Sequence, residues 1–155
     1  MKTKFLFFVS LLFVCAFGAS SAMAQDDEGD ALVGLWLPSE GTARIQVYKG
    51  GKSGKYFGRI VWLKEPNDED GKPKTDKKNP DESLRDKPLM GYVMLRGFSY
   101  KGNKVWDGGT IYDPKSGSTY NCEINMKNKN SIEVRGYIGV SLFGRTDTWT
   151  RMKTN

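Results

Sequence analysis

Among the 155 residues there is no histidine. That absence excludes Ser-His-Asp and Cys-His nucleophilic catalysis, imidazole metal ligands and an imidazole proton shuttle near neutral pH. The two cysteines are too few for a zinc ribbon, an iron–sulfur cluster or a disulfide scaffold, so no metal or other cofactor is implied. Fibrous and low-complexity bias is missing too. With 18 glycines, 12% aromatic and 27% charged residues, the chain has an ordinary globular composition.

The one long apolar run is N-terminal. Lys2 and Lys4 precede 13 uninterrupted apolar or small residues from Phe5 to Phe17, and a small-residue segment ends at Ala22-Met23-Ala24. This is the pattern of a secretory signal over residues 1–24 with cleavage after Ala24. The run is too short for the roughly 20 residues of a membrane span, so no transmembrane segment is expected. Cys15 follows Val14, where a lipoprotein signal carries a small residue. The expected product is periplasmic or secreted, with Cys122 as its only thiol. An alternating stretch from Tyr120 to Ile124 favours a core position for that cysteine.

Export without Lys2 and Lys4 changes 24 basic residues to 22, against 18 acidic ones. Four of those acids lie in Gln25-Asp26-Asp27-Glu28-Gly29-Asp30, which has no apolar residue and reads as a solvated acidic tail over 25–30. Residues 31–155 then form one domain with 22 basic against 14 acidic residues. A basic body suits anionic partners, and export argues against nucleic acid.

Within that body the dominant period is two. Gly34–Leu37, Thr42–Tyr48, Lys55–Leu63, Met90–Tyr100, Lys104–Tyr112, Ser118–Met126, Ser131–Tyr137 and Thr146–Met152 read as about eight short strands separated by turn residues. That is an all-β antiparallel sandwich or closed barrel. Lys64 to Pro88 breaks the rhythm with 15 charged residues in 25. Inside it, Asn79-Pro80-Asp81-Glu82 predicts one short helix over Pro80–Asp86, capped by Asn79.

Few constellations carry chemistry. Asp68-Glu69-Asp70-Gly71 invites a calcium-loop reading, but the EF-hand spacing then puts Pro66 and Lys77 at ligand positions. Asp107 and Asp113 lie six residues apart, about 20 Å along an extended strand, too far to act on one bond unless Gly108-Gly109 bends it. The aromatics are more informative. Trp36, Trp62, Trp106 and Trp149, with Tyr92, Tyr112, Tyr120 and Phe57, are spread over nearly every strand. They serve either as packed core or as the wall of a cavity for an amphipathic guest.

Several spaced motifs carry a resemblance. They are Gly34-x-Trp36, Asp76-x-x-Asn79-Pro80 with Arg85, Pro88 and Gly91, Trp106-x-Gly108-Gly109-x-Ile111-Tyr112-Asp113-Pro114, Gly117 with Tyr120, Arg135 to Gly139, and Gly144-Arg145-Thr146-x-x-Trp149-x-Arg151. Together they resemble the bacterial secreted family catalogued as domain of unknown function 2147, over roughly Gly34 to Arg151. The resemblance implies an antiparallel up-and-down, lipocalin-like β-barrel of about eight to ten strands with one short helix in a long loop. It also implies that Arg151 stacks on Trp36 to close one barrel end, a structural role.

The expectation for function is a non-enzymatic barrel binding a small hydrophobic or amphipathic ligand, with no catalytic residues. Trp62, Tyr92, Trp106 and Tyr120 are the candidate cavity wall, and Arg59 or Arg96 the candidate partner of an anionic headgroup. The alternative is an envelope protein–protein interaction module, recognised through the charged loop and the Arg135–Arg145 corner, with the barrel as scaffold.

Overall fold

The computed structural model describes residues 28–153. The signal segment and Gln25 to Asp27 lie outside them. Eight strands run up and down: β1 (Gly34–Leu37), β2 (Ala43–Gly50), β3 (Lys55–Leu63), β4 (Val93–Tyr100), β5 (Val105–Asp113), β6 (Ser118–Asn128), β7 (Ser131–Tyr137) and β8 (Arg145–Arg151). Each pairs with its sequence neighbour, and β1 pairs with β8 to close the barrel. Closure removes the unpaired edges that an open sheet exposes. Among the described residues no helix is long and apolar enough to cross a membrane.

The period-two pattern translates into an inner row on each strand. Ile45 and Val47 of β2, Tyr56 and Ile60 of β3, Leu95 and Phe98 of β4, Ile124 of β6, and Ile132 and Val134 of β7 are all buried in one cluster. Packing is tight around the middle. A methyl group on Gly109 would stand 2.5 Å from the Phe98 ring, and one on Gly58 would stand 2.7 Å from Leu95 Cδ1. Neither position has room for a side chain.

One end, where β1, β3, β5 and β7 begin, is closed by the chain just before β1. A 3-10 turn over Asp30–Leu32 drops Leu32 into the core, and Trp36 Nε1 donates to Leu32 O at 2.9 Å. Trp106 Nε1 donates to Gly29 O at 3.0 Å, Tyr56 Oη to Asp30 Oδ1 at 2.7 Å, and Tyr100 Oη to Glu28 Oε2 at 3.0 Å. Glu28 to Asp30 therefore do not belong to a solvated tail. Composition alone misses this because the attachment comes from one backbone carbonyl and two carboxylates meeting aromatic donors, with no apolar side chain of the segment involved.

Asp30 gives a pH prediction. The Tyr56 hydroxyl, followed by Lys49 at 3.0 Å, holds its carboxyl below the ordinary carboxylate range. A depressed folded-state pKa stabilises the fold above the unfolded value and loses that contribution as pH falls through the folded one. The melting temperature of wild type should exceed that of Asp30→Asn at about pH 7, and the gap should narrow progressively as the pH falls below about 4. A gap that stays constant across this range contradicts the assignment.

The long loop is ordered by local turns instead of a helix. Asn79 Oδ1 accepts from Asp81 N at 2.9 Å, and Asp81 Oδ1 accepts in turn from Ser83 N at 2.9 Å. Only Glu82–Leu84 forms a turn of 3-10 helix, capped by Asp81. The expected helix over Pro80–Asp86 is corrected for a physical reason. Two side-chain caps two residues apart each redirect the backbone, and Arg85 Nε satisfies Asn79 O at 2.8 Å, so no continuous helical ladder starts.

Candidate functional site

The closed end is built around Arg151. Its guanidinium lies 4.1 Å over the Trp36 ring, as the resemblance implies. Its Nε donates to Lys129 O at 2.6 Å, Nη1 to Val33 O at 2.9 Å and Nη2 to Ala31 O at 2.6 Å. Burial pulls the guanidinium pKa down from its ordinary value. Gly34 has a φ of 150°, and a Cβ there would strike Arg151 Nη1. This end is a structural seal.

At the opposite end the inner rows lose their cover. Along β6, Ile124 and Cys122 are buried while Tyr120 is partly exposed; along β7, Ile132 and Val134 are buried while Gly136 is partly exposed. Trp149 is buried on β8, Asp147 is half-buried and Arg145 exposed. Asp147 Oδ2 accepts from Trp149 Nε1 at 2.8 Å, consistent with both lying on one strand face. Ile111 pairs with Tyr120, Cys122 with Gly136, and Gly136 with Arg145. Ile111, Tyr120 and Gly136 thus meet as a partly exposed inner layer at this end, the cup, with Arg145 beside Gly136 at the strand end. Burial first, with the charges of Asp107 and Glu123 second, pushes the Cys122 thiol up to about 12. A neutral, inert thiol suits a core position.

The sequence-predicted wall does not assemble here. Tyr120 is at the cup. Trp106 is buried at the sealed end, packed edge-on to Tyr56 and 5.0 Å from Tyr100. Trp62 faces outward. An extra residue in β3 shifts the register between Arg44 and Ile45, so that Trp62 pairs with Arg44 and lies under its guanidinium at 4.5 Å. Arg59 sits on the same outer stripe, donating to Gln46 Oε1 at 2.8 Å and lying 5.6 Å over Tyr48. Arg96 is exposed, 5.5 Å over Tyr92, and its Nε is spent on Val93 O at 2.9 Å. Neither arginine meets an interior headgroup.

Tyr92 belongs to a different construction. Its ring lies 5.2 Å from Tyr112, and Asn79 Nδ2 reaches its hydroxyl at 3.4 Å. Tyr112 Oη donates to Asp76 Oδ1 at 2.7 Å, and Asn79 Nδ2 donates to Asp76 Oδ2 at 2.7 Å. Asp76 and Asn79 are buried. Burial, then the Asp76 contact, drives the Tyr112 pKa upward, which keeps the phenol a donor. This latch fastens the long loop to the barrel. Its residues stand in the motif Asp76-x-x-Asn79-Pro80, a spacing that marks them without revealing their partner.

The remaining candidates are occupied locally. Asp68 accepts from Asp70 N and Lys72 N and pairs with Lys77 at 3.5 Å, the bonding of a surface turn. Asp113 accepts from Lys115 N at 2.9 Å and Ser116 Oγ at 2.8 Å, while Asp107 accepts from Gly108 N at 2.6 Å. A 580 Å³ cleft in the long loop is lined by Asn67 and by six charged residues, among them Glu65, Asp68, Lys74 and Lys77. Its charged wall does not suit an apolar guest.

Comparison with known proteins agrees with this architecture. A solved structure, "Protein HP1028 from the human pathogen Helicobacter pylori belongs to the lipocalin family", superposes with a TM-score of 0.67 at 25% identity, covering 79% of this chain and 83% of that one. No curated protein matches the sequence. Residues 34–151 match the family described as "Uncharacterized protein conserved in bacteria (DUF2147)". With a lipocalin-like barrel beneath those motifs, the chain belongs to the DUF2147 family.

Proposed function

We propose that this protein is an exported, non-enzymatic carrier that binds a small hydrophobic or amphipathic ligand by its apolar end in the cup between Ile111, Tyr120 and Gly136. The observation that supports it is an exposure gradient along β6, β7 and β8: the buried Ile124 and Cys122, Ile132 and Val134, and Trp149 give way to the partly exposed Tyr120, Gly136 and Asp147. The lipocalin-like architecture is compatible with such binding at a coarse level. A barrel this full admits a chain end, a small ring or a short tail, with the rest of the molecule outside. Arg145 at the rim replaces Arg59 and Arg96 as the candidate partner of an anionic group. Signal-directed export into the periplasm or medium is part of the proposal.

The test is binding of anilinonaphthalene sulfonate, an amphipathic anion, with a long-chain fatty acid as competitor. A Cβ on Gly136 would stand 3.3 Å from Ile111 Cγ2, so Gly136→Phe fills the cup. Loss of about tenfold in affinity is expected, corresponding to about 1.4 kcal/mol. Tyr120→Ala, which enlarges the cup, guards against misreading a folding defect and should retain binding. Unchanged binding by a folded Gly136→Phe protein contradicts the proposal.

A further inference from the structure

Six large hydrophobic side chains are exposed among the described residues, and four of them lie in one short loop between β7 and β8: Ile138 at 75%, Val140 at 59%, Leu142 at 78% and Phe143 at 80%. Scattered exposed apolar residues need no explanation, but a contiguous set at a loop tip does. We propose that this loop docks the barrel onto a lipid surface carrying anionic headgroups, its apolar side chains entering the interface.

The loop is held open from within. Arg135 Nε donates to Ser141 O at 2.7 Å, Nη2 to Leu142 O at 3.2 Å and Nη1 to Thr146 Oγ1 at 2.7 Å. These bonds fix the backbone of the 3-10 turn over Ser141–Phe143, and Gly139, at a φ of 73°, turns the chain out of the strand. The apolar side chains are thereby presented to solvent instead of collapsing onto the barrel.

Charge points to the kind of surface. From Arg135 to Arg145 the only charged residues are those two arginines, one on each side of the apolar tip, and no acid intervenes. Apolar residues flanked by cations are the composition that enters an anionic lipid interface, where buried apolar area and electrostatic attraction add. The size of the patch argues against a protein partner. A stable protein interface takes about 20–30 residues a side, whereas this tip is six residues long. The placement is also apt: the loop leaves the barrel at Tyr137, next to Gly136 of the cup, so a docked protein would present its open end to the bilayer. The inference does not depend on the ligand proposal, since an empty barrel would dock equally well.

The test uses the protein as it accumulates in its producing cell, with an environment-sensitive nitrobenzoxadiazole dye on Leu142→Cys. Cys122 is buried, and Cys15→Ser in every variant removes the N-terminal thiol, so the labelling is selective. Lys52→Cys, in the turn between β2 and β3 at the sealed end, is the control. With vesicles of phosphatidylglycerol and phosphatidylethanolamine, the dye at 142 should shift blue and brighten severalfold, and the dye at 52 should not. The unlabelled double variant Leu142→Asp/Phe143→Asp should lose about tenfold in vesicle flotation, a comparison that removes any contribution from the N-terminal apolar run. Arg145→Gln should weaken binding to phosphatidylglycerol more than to phosphatidylcholine. Absence of vesicle association, an equal response at 52 and 142, or flotation unaffected by the double variant overturns the proposal. So does a blue shift at 142 that follows protein concentration without vesicles, which would assign the tip to a second copy of the chain.

Discussion

Replacing Arg151 with alanine lowers the unfolding free energy by about 2–4 kcal/mol on this structure. The side chain satisfies three carbonyls, those of Ala31, Val33 and Lys129, and covers the Trp36 ring. Ala31 and Val33 flank Leu32, so the same guanidinium pins the turn that seals the barrel. Arg151→Lys should recover less than half of the loss, because an ammonium has no planar fork to meet three acceptors and stack on an indole at once. Urea denaturation of the three proteins measures both effects. An Arg151→Ala protein within about 1 kcal/mol of wild type would reduce the contact to surface decoration.

Asp76→Ala should cost a comparable amount, about 2–4 kcal/mol, by a different mechanism. The carboxylate is buried and accepts from Tyr112 Oη and Asn79 Nδ2, both at 2.7 Å. Its removal leaves the buried Tyr112 hydroxyl without an acceptor and Asn79 Nδ2 with the longer contact to Tyr92 Oη alone, and unfastens the long loop from β5. Tyr112→Phe, which deletes one donor and keeps the ring against Tyr92, should cost about 1–2 kcal/mol. Hydrogen exchange locates the effect: protection should fall first in the loop between β3 and β4, with the inner rows of β6 and β7 retained. Uniform loss across the barrel would show that Asp76 supports the core itself.

Much of the barrel was legible in the sequence because alternation and glycine-rich turns are local signals. The resemblance added the Trp36–Arg151 stack. Depth and parity were harder. Ile60 and Trp62 share strand parity, and the extra residue between them turns Trp62 to the outside. Such a bulge depends on how β2 and β3 pair, which neither strand states alone. Tyr92 and Trp106 were assigned to one wall, yet Trp106 pairs with Tyr100, eight residues from Tyr92, or about 25 Å along β4. Counting up-and-down turns would have exposed that separation. The corner from Arg135 to Arg145 was legible as a recognition surface, but the alternation of Ile138, Val140 and Leu142 does not reveal their exposure, which follows from β7 ending at Tyr137 and from the positive φ of Gly139.

The proposed occupant of the barrel's open end is a small amphipathic molecule. Native mass spectrometry of protein recovered gently from its own envelope, beside a denatured control, tests it most directly. An added mass of fatty-acid or lipid size is expected on the folded protein, absent after denaturation and much reduced in Gly136→Phe. A clean mass of the chain alone, or an added mass unchanged by filling the cup, would contradict it.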